Sequence, residues 1–232
     1  MILAPWKSAT STVRVRLAPF SEGSYDVFYD LNPVLRRVVH QHMTYADFAA
    51  LPESRLGYTT AAFVRNPYDR VYSGFLQLQK DLRTQPEMEY PDRAVRRLVL
   101  EQLAENRAQL EHASFQFEPW LESVEDHQVL AVGRNTSFPL HPAHYWTHHA
   151  GQQAVDFIGR VENFESDFER LCSKLGLLVD SHANANVEAP EDLLVPKDGH
   201  GYRYLEHFGA AARRRVNDLF REDFALFGYA MV

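Results

Sequence analysis

One segment of this chain carries an arginine and a serine placed to hold a phosphate or a similar oxyanion. A short apolar run, residues 59–64, ends at Arg65, and Pro67 follows two positions later. Proline disfavours helical backbone at the residue before it and suits the first turn of a helix. The pattern therefore predicts a strand that ends at Arg65 and a helix that follows. Ser73 falls two turns into that helix, so a guanidinium group and a hydroxyl group can bind one phosphate from two elements.

A structural role is the alternative for the arginines of this segment. Arg65 and Arg70 both lie near Asp69 in the sequence and could pair with such carboxylates instead of with a ligand. The order strand, arginine, asparagine, proline, helix is nevertheless specific, and it favours the anion site.

A second segment suited to an anion follows the apolar start of the chain, residues 2–4. It consists of a lysine followed by small and hydroxyl-bearing residues: Lys7, Ser8, Ala9, Thr10, Ser11 and Thr12. Backbone N–H groups can approach an anion closely here, and a following helix would add its N-terminal N–H groups and dipole. The segment lacks the Gly-Lys-Ser/Thr ending of a nucleoside-triphosphate P-loop and so lacks the hydroxyl that holds Mg²⁺ there. Taken alone, it is more simply interpreted as a polar turn that caps a helix.

Four of the eleven histidines cluster at His141, His144, His148 and His149. His144 and His148 are four positions apart, so on a helix they would share one face and could bind zinc. No cysteine or carboxylate accompanies them locally, and Pro142 interrupts the stretch, which argues against a metal site. We therefore expect no bound metal.

The elements that position these segments are predicted from short apolar runs that alternate with helical patterns, which indicates an α/β fold. Strands are predicted at residues 2–4, 59–64 and 155–159. Helices are predicted from residue 68 onward, over 94–112, over about 166–175 and, as the last helix, over 213–220. Residues 12–17 alternate with period two, and this pattern alone predicts a strand. A long loop is predicted between residues 176 and 201, of the kind that often forms lids or binding loops.

Composition narrows the class of protein. The chain has 232 residues, 24 basic against 31 acidic side chains, a net charge of −7 and 45% hydrophobic residues. This excludes global disorder and argues against a duplex-DNA binder, and the single Cys172 excludes an intramolecular disulfide. No apolar run approaches the ~20 residues needed to span a bilayer, and residues 1–5 are too short for a signal sequence. We expect one cytoplasmic domain over residues 1–232, with no nucleic-acid partner.

Taken together, the motifs resemble those of PAPS-dependent sulfotransferases, and the match is best to the carbohydrate sulfotransferases of bacteria and the Golgi. Residues 64–70, with Ser73 and Phe75, resemble the segment that binds the 3′-phosphate of the nucleotide. Residues 7–12 look like the 5′-phosphosulfate loop of that family. Residues 156–163 with 167 and 175–177 resemble a third block, and 223–229 resemble the usual C-terminus. The family often has proline directly before the loop lysine, whereas here Trp6 intervenes.

The resemblance implies a P-loop-like three-layer fold with a short, mainly parallel sheet flanked by helices, and a helix in place of the period-two strand. It implies transfer of a sulfuryl group from PAPS, without a metal, to a hydroxyl group of a saccharide or small molecule, with PAP as product. The residues expected to hold PAPS are Lys7, Ser8, Ala9, Thr10, Ser11, Thr12, Arg65 and Ser73. Lys7 would also stabilise the charge that develops on the leaving phosphate.

The acceptor hydroxyl must lose a proton, and a histidine with its ordinary pKa of ~6.5 suits that task. Residues 40–48 are similar to the His-x-His stretch of hexuronic-acid 2-O-sulfotransferases and to the His-x-Thr of bacterial relatives. The resemblance favours His42 as the base, with His40 second and His144 as a further candidate. The alternative places His40 and His42 on a helix surface near Tyr45.

Three further expectations remain. His144 and His148 look like a divergent form of the acceptor-lining segment of the family. Arg160 and Glu162 are expected to form an internal ion pair. A degenerate sulfotransferase-like module that binds PAP without turnover, and a P-loop-like kinase, stay open as other functions.

Overall fold

The computed structural model describes residues 1–21, 29–130, 139–177 and 202–232 of the protein. The strands of the described part are β1 (Ile2–Leu3), β2 (Tyr29–Asn32), β3 (Arg37–His40), β4 (Ala61–Val64), β5 (His148–His149), β6 (Gln152–Gln153) and β7 (Phe157–Arg160). Its helices are α1 (Thr10–Leu17), α2 (Tyr45–Ala50), α3 (Pro67–Thr84), α4 (Arg93–His112), α5 (Phe117–Ser123), α6 (Asp126–Leu130), α7 (His144–Thr147), α8 (Phe164–Lys174), α9 (Ala210–Leu219) and α10 (Arg221–Phe227). The predicted long loop lies outside the described residues from position 178 onward.

A three-stranded parallel sheet in the order β1–β4–β7 organises the fold, with helices around it. Ile2 lies opposite Ala61, and Ala61 lies opposite Phe157. Every residue of β4 is buried, as expected for a central strand covered on both faces. The predicted α/β fold and its three strands are confirmed. Because β1 and β4 are parallel, their carboxyl ends share one edge, and the two candidate anion segments begin there.

Helix α3 positions one wall of the candidate site. A proline occupies its first turn, and the side chain of Asn66 caps it by accepting a hydrogen bond from the N–H of Asp69 at 2.8 Å. Its apolar side packs into the largest core, together with side chains of α4, α9 and α10. On the other side, polar residues recur every fourth position and therefore share one face: Ser73, Gln77 and Asp81.

Helix α1 replaces the strand that the period-two pattern predicts for residues 12–17, so that prediction was wrong and the expectation from the family resemblance was correct. Val13 and Leu17, four positions apart, pack toward Phe63 and Phe164 in a core beside the sheet. Val15 is 43% exposed, although its alternation with Val13 suggested a shared buried face. Val13 and Leu17 contact one core at a spacing of four residues, which is the period of a helix and not of a strand.

The helix predicted over residues 213–220 is present as α9, but the prediction that it is the last helix was wrong. Helix α9 begins earlier, at Ala210, and α10 follows it after a break in the backbone at Phe220. Helix α10 spans only seven residues, a length at which periodicity gives little signal. It nevertheless buries Asp223, Phe224 and Phe227.

An antiparallel hairpin of β2 and β3, which the sequence analysis did not predict, stands beside the sheet with Tyr29 opposite His40. Its second strand, β3, ends at His40, and His42 follows two residues later. None of the helices in the described ranges is long and apolar enough to cross a membrane.

Candidate functional site

A cavity of about 560 Å³ opens at the edge of the sheet where β1 and β4 end, and both predicted anion segments line it. The lining residues from the first segment are Lys7, Ala9, Thr10, Ser11 and Thr12. Arg65 and Ser73 line it from the second segment, and His42 lines it from the stretch between them. The fold therefore brings together residues that lie far apart in the sequence.

The backbone of the loop after β1 has the form of an anion site. Lys7 and Ala9 both have a φ of 58°, in the left-handed region that non-glycine residues rarely adopt, and Ser8 between them does not. Such alternation turns successive N–H groups into one concavity that binds anions. The strain that two left-handed residues store is typical of ligand-binding loops.

Thr12, in the first turn of α1, provides a second sign of a ligand. Its hydroxyl oxygen is buried in the cavity wall and has no hydrogen-bond partner among the described residues. A buried hydroxyl without a partner is costly. An oxyanion in the cavity would accept its proton, so the loop fits a phosphate or sulfate group.

Lys7 reaches from the loop to the polar face of α3. Its Nζ donates a hydrogen bond to Gln77 Oε1 at 2.9 Å, one turn beyond Ser73. The ammonium group is thus held at the cavity wall by a residue that lies one helical turn beyond the serine.

Arg65 is buried at the cavity wall, and its Nη2 lies 3.9 Å from Asp69 Oδ2. The ion pair of Arg65 with Asp69, which the structural alternative predicted, is therefore present, but its N–O distance is long. The carboxylate of Asp69 has closer partners than Arg65, because it accepts hydrogen bonds from the backbone N–H groups of Arg203 at 3.1 Å and Tyr204 at 2.9 Å. The guanidinium group of Arg65 also lies over the Tyr204 ring, 5.7 Å from its centroid.

Arg70 has the structural role that the alternative predicted. It is completely buried, pairs with Asp223 Oδ2 at 3.1 Å and donates to the carbonyl oxygen of His141 at 2.6 Å. The two arginines of the segment thus differ in function: Arg65 faces the cavity and Arg70 joins α3 to α10.

His42 is held in one orientation at the cavity wall, where it is 6% exposed. Its Nδ1 donates to the carbonyl oxygen of Ala4 at 2.6 Å, which leaves Nε2 as the acceptor atom. The side chain of Gln41 contacts Nε2 at 3.2 Å, and Arg14 donates to the Gln41 carbonyl oxygen at 3.4 Å. Trp6 stacks on the imidazole with ring centroids 3.9 Å apart. The tryptophan that departs from the family pattern therefore supports the candidate base.

The pKa of His42 is lowered to about 4, chiefly by burial and to a smaller extent by the nearby cations Lys7 and Arg14, while the hydrogen bond to Ala4 acts in the opposite direction. The expectation of an ordinary histidine pKa was wrong. The imidazole is neutral at neutral pH, as a base must be, but in the protein without ligand it binds a proton weakly.

His40 ends β3 and supports His42 from behind. Its Nδ1 accepts a hydrogen bond from the backbone N–H of His42 at 3.0 Å, and burial holds its pKa well below the usual value. His40 is not among the residues that line the cavity. The alternative of a helix surface is wrong for both histidines, because α2 begins only at Tyr45.

A family model described as "Sulfotransferase family" matches residues 20–230 of the chain. The chain belongs to the sulfotransferase family. Comparisons with curated proteins and with solved structures gave no match. The matched range excludes residues 7–12, so the assignment of that loop depends on its own sequence and geometry.

In this sulfotransferase, His144 and His148 lie away from the cavity lining. Helix α7 ends at Thr147, so the two histidines do not share a helical face. His144 Nδ1 contacts Asp223 Oδ1 at 2.8 Å, and His148 Nδ1 contacts the Thr147 hydroxyl at 2.8 Å. Within the described ranges no group of histidine, cysteine or carboxylate side chains is arranged to hold a metal ion.

Arg160 and Glu162 do not form the expected ion pair with each other. Arg160 donates to the carbonyl oxygen of Phe227 and lies over the Tyr229 ring. Glu162 accepts hydrogen bonds from the N–H of Asn66 at 2.7 Å and from the Tyr229 hydroxyl at 2.9 Å. Both side chains are structural, and they tie β7 to the C-terminal segment and to the residue next to Arg65.

Sequence reasoning missed several cavity residues of the sulfotransferase, among them Arg14, Gln41, Gln77, Lys80 and Asp81. Two of them could have been found. Gln77 and Asp81 follow Ser73 at intervals of four residues, so any helix that presents the serine to a ligand presents them as well.

Proposed function

We propose that the protein transfers a sulfuryl group from PAPS to a hydroxyl group of a saccharide or another small acceptor, in the cytoplasm. The observation that carries the proposal is the single cavity that joins the loop after β1, Arg65, Ser73 and His42. Family membership supports sulfuryl transfer in general, and the cavity supports the particular donor.

The donor would lie with its two charged ends on the two anion segments. PAPS supplies the sulfuryl group and leaves as PAP. The loop from Lys7 to Thr12 offers backbone N–H groups, the dipole of α1 and the unsatisfied Thr12 hydroxyl to the phosphosulfate. Arg65 and Ser73 offer a guanidinium group and a hydroxyl group to the 3′-phosphate.

Lys7 places its ammonium group where negative charge develops as the phosphate leaves. An oriented cation in a site shielded from water lowers the barrier of such a step. Gln77 Oε1 accepts a hydrogen bond from Lys7 Nζ at 2.9 Å and can keep the ammonium group oriented into the cavity during the reaction.

His42 would accept the proton of the acceptor hydroxyl at Nε2, since Nδ1 is engaged with Ala4. The hydroxyl would replace the Gln41 amide, which now contacts that atom. Two of the charges that depress the pKa of His42 are Lys7 and Arg14, and an anionic donor bound beside them would offset both. Binding of the donor therefore strengthens the base.

A second candidate is a degenerate module that binds PAP without turnover. The low pKa of His42 is the observation that favours it, because so weak a base is a poor proton acceptor. Transfer of radiolabelled sulfate from PAPS to any acceptor separates the two functions.

PAP is expected to raise the melting temperature of the protein without added metal, and EDTA is expected to leave the shift unchanged. A ligand at 100-fold excess over its Kd adds ~2.7 kcal/mol of stability. Thermal unfolding with PAP, ATP and GTP measures the effect, and PAP should exceed the other two. A shift that disappears with the chelator would contradict the metal-free site.

Arg65→Ala should weaken PAP about 10- to 100-fold and should weaken adenosine 5′-phosphate, which lacks the 3′-phosphate, far less. The reason is the loss of a charge-assisted hydrogen bond to that phosphate. Calorimetric titration of both nucleotides measures the difference. Arg97→Ala removes an exposed arginine of α4 as a matched control and should change neither affinity. Equal losses for both nucleotides would make Arg65 structural.

A further inference from the structure

Asp81 is the one carboxylate among the described residues that line the cavity, and it is only 4% exposed. It lies on the face of α3 that also presents Ser73 and Gln77. The other charged lining residues are cations: Lys7, Arg14, Arg65 and Lys80. A buried negative charge therefore faces a cavity otherwise built for an anion.

The two oxygens of Asp81 differ in their contacts. Oδ1 accepts a hydrogen bond from Gln77 Nε2 at 2.7 Å, and the same amide accepts one from Lys7 Nζ at 2.9 Å. Oδ2 is buried and has no partner with hydrogen-bond geometry in the described part of the chain. One amide thus connects the carboxyl group to the lysine of the loop after β1. The second oxygen has no well-formed hydrogen bond, and the Gln85 side chain interacts with the carboxyl group only weakly.

The surroundings leave this carboxyl group close to protonation. Burial raises its pKa to about 6, against the opposing effects of Gln77, Lys7, Lys80 and, most weakly, Gln85. Among the described residues, Tyr90, from the segment after α3, also interacts with this carboxyl group, and the titratable groups Arg14, His42 and Arg65 line the same cavity.

A bound nucleotide must either tolerate this charge or neutralise it. At pH 7, protonating a carboxyl group with a pKa of about 6 costs only a factor of about ten in population. Repulsion between two like charges at contact distance within a protein changes an equilibrium constant by more than that. Protonation is therefore the less costly outcome, and it converts the unsatisfied oxygen into a hydrogen-bond donor.

We propose that Asp81 is a further residue of the cofactor site and binds the nucleotide as the neutral acid. Its Oδ2–H donates to a phosphate or sulfate oxygen near Lys7, and binding takes up one proton from solvent. This proposal rests on the proposed function, because it requires the nucleotide to occupy this cavity.

Titration calorimetry of PAP in buffers with different heats of ionisation tests the proposal. The wild-type protein should take up close to one proton at pH 7 and almost none at pH 5, where Asp81 is already protonated. Asp81→Asn, which mimics the neutral acid, should lose this uptake. The variant should match the wild-type affinity at pH 5 and bind PAP at least tenfold more tightly at pH 8.

Asp92→Asn is the matched control, because Asp92 caps α4 on the exposed surface and asparagine caps helices equally well. It should retain the wild-type proton uptake. Protons bound by His42 or released by PAP itself occur in all three proteins and cancel in the comparison. If Asp81→Asn does not fold, Asp81→Ser, which also removes the titrating carboxyl group, takes its place and must likewise lose the wild-type uptake.

Identical proton uptake in the wild type and Asp81→Asn, or weaker binding by the variant at pH 8, would overturn the assignment of Asp81. The proposed function would survive that result, since PAP would still bind. Absence of PAP binding by the wild type at every pH would instead overturn the proposed function, and this proposal with it.

Discussion

Replacing His42 with alanine is expected to lower turnover by ~10²–10⁴-fold, the usual contribution of a general base, while the affinity for PAP remains nearly unchanged. The base contacts the acceptor rather than the nucleotide, so the loss should occur in kcat. Single-turnover transfer of sulfate from labelled PAPS measures it. Lys7→Ala should lower both turnover and PAPS affinity, because its ammonium contacts the transferring group before and during the reaction.

His40→Ala is the matched control for the base. It removes an imidazole that supports the backbone of His42 but does not line the cavity, and its effect on turnover should be clearly smaller. The reverse order would place the base two residues earlier. If both variants remain active, neither histidine is the base.

The same prediction has a dependence on pH. The base works unprotonated, so kcat/KM should fall as the pH drops through the pKa of the free protein, at about 4 rather than at the ordinary ~6.5. Stability should follow a related course. The unfolded chain binds the proton of His42 below about pH 6.5 and the folded protein only near 4, so unfolding becomes easier across that window as pH falls.

Asp223→Ala is expected to lower the free energy of unfolding by about 3–5 kcal/mol, because it leaves the buried guanidinium group of Arg70 without its counter-charge. Asp223 is 1% exposed, and it also accepts hydrogen bonds from the backbone N–H groups of Ala143 at 2.6 Å and His144 at 3.0 Å. Urea unfolding measures the loss, which is a large share of a typical total of 5–15 kcal/mol.

The neighbouring Glu222→Ala serves as control for this pair. Its side chain is 62% exposed and contacts His144 Nε2 at 3.4 Å, so its removal should change stability by no more than ~1 kcal/mol. A loss below ~1 kcal/mol for Asp223→Ala would contradict the view that this carboxylate holds α3, α7 and α10 together.

The sequence predicts those parts of the fold that depend on local patterns. The three strands of the sheet and the helix after Pro67 were predicted because apolar runs and proline act on their immediate neighbours. The contact of His144 with Asp223 was not predicted, since it joins residues 79 positions apart and arises only when α10 packs against α7. The alternation of Val13 and Val15 led to the wrong prediction of a strand, because long-range core contacts stabilise a helix there.

The candidate site follows the same division. Residue type and spacing pointed to Lys7, Arg65 and Ser73, and the fold brings all three to one cavity. Their roles are still predictions. The pKa of His42 could not be anticipated, because it depends on burial and on cations supplied by distant segments. Asp81 reads in the sequence as one more charged residue of a helix, and only its burial gives it significance.

The stacking of Trp6 on His42 gives the protein an internal optical sensor. Of the three tryptophans, Trp6 is the one that lines the described cavity. Trp120 and Trp146 are fully buried, and Trp146 donates a hydrogen bond to the carbonyl oxygen of His42 at 3.1 Å. Indole emission is quenched when a stacked imidazole becomes charged and shifts when solvent beside the ring is displaced. The intrinsic fluorescence of this chain should therefore report both occupation of the site and the protonation state of its base, without any attached dye.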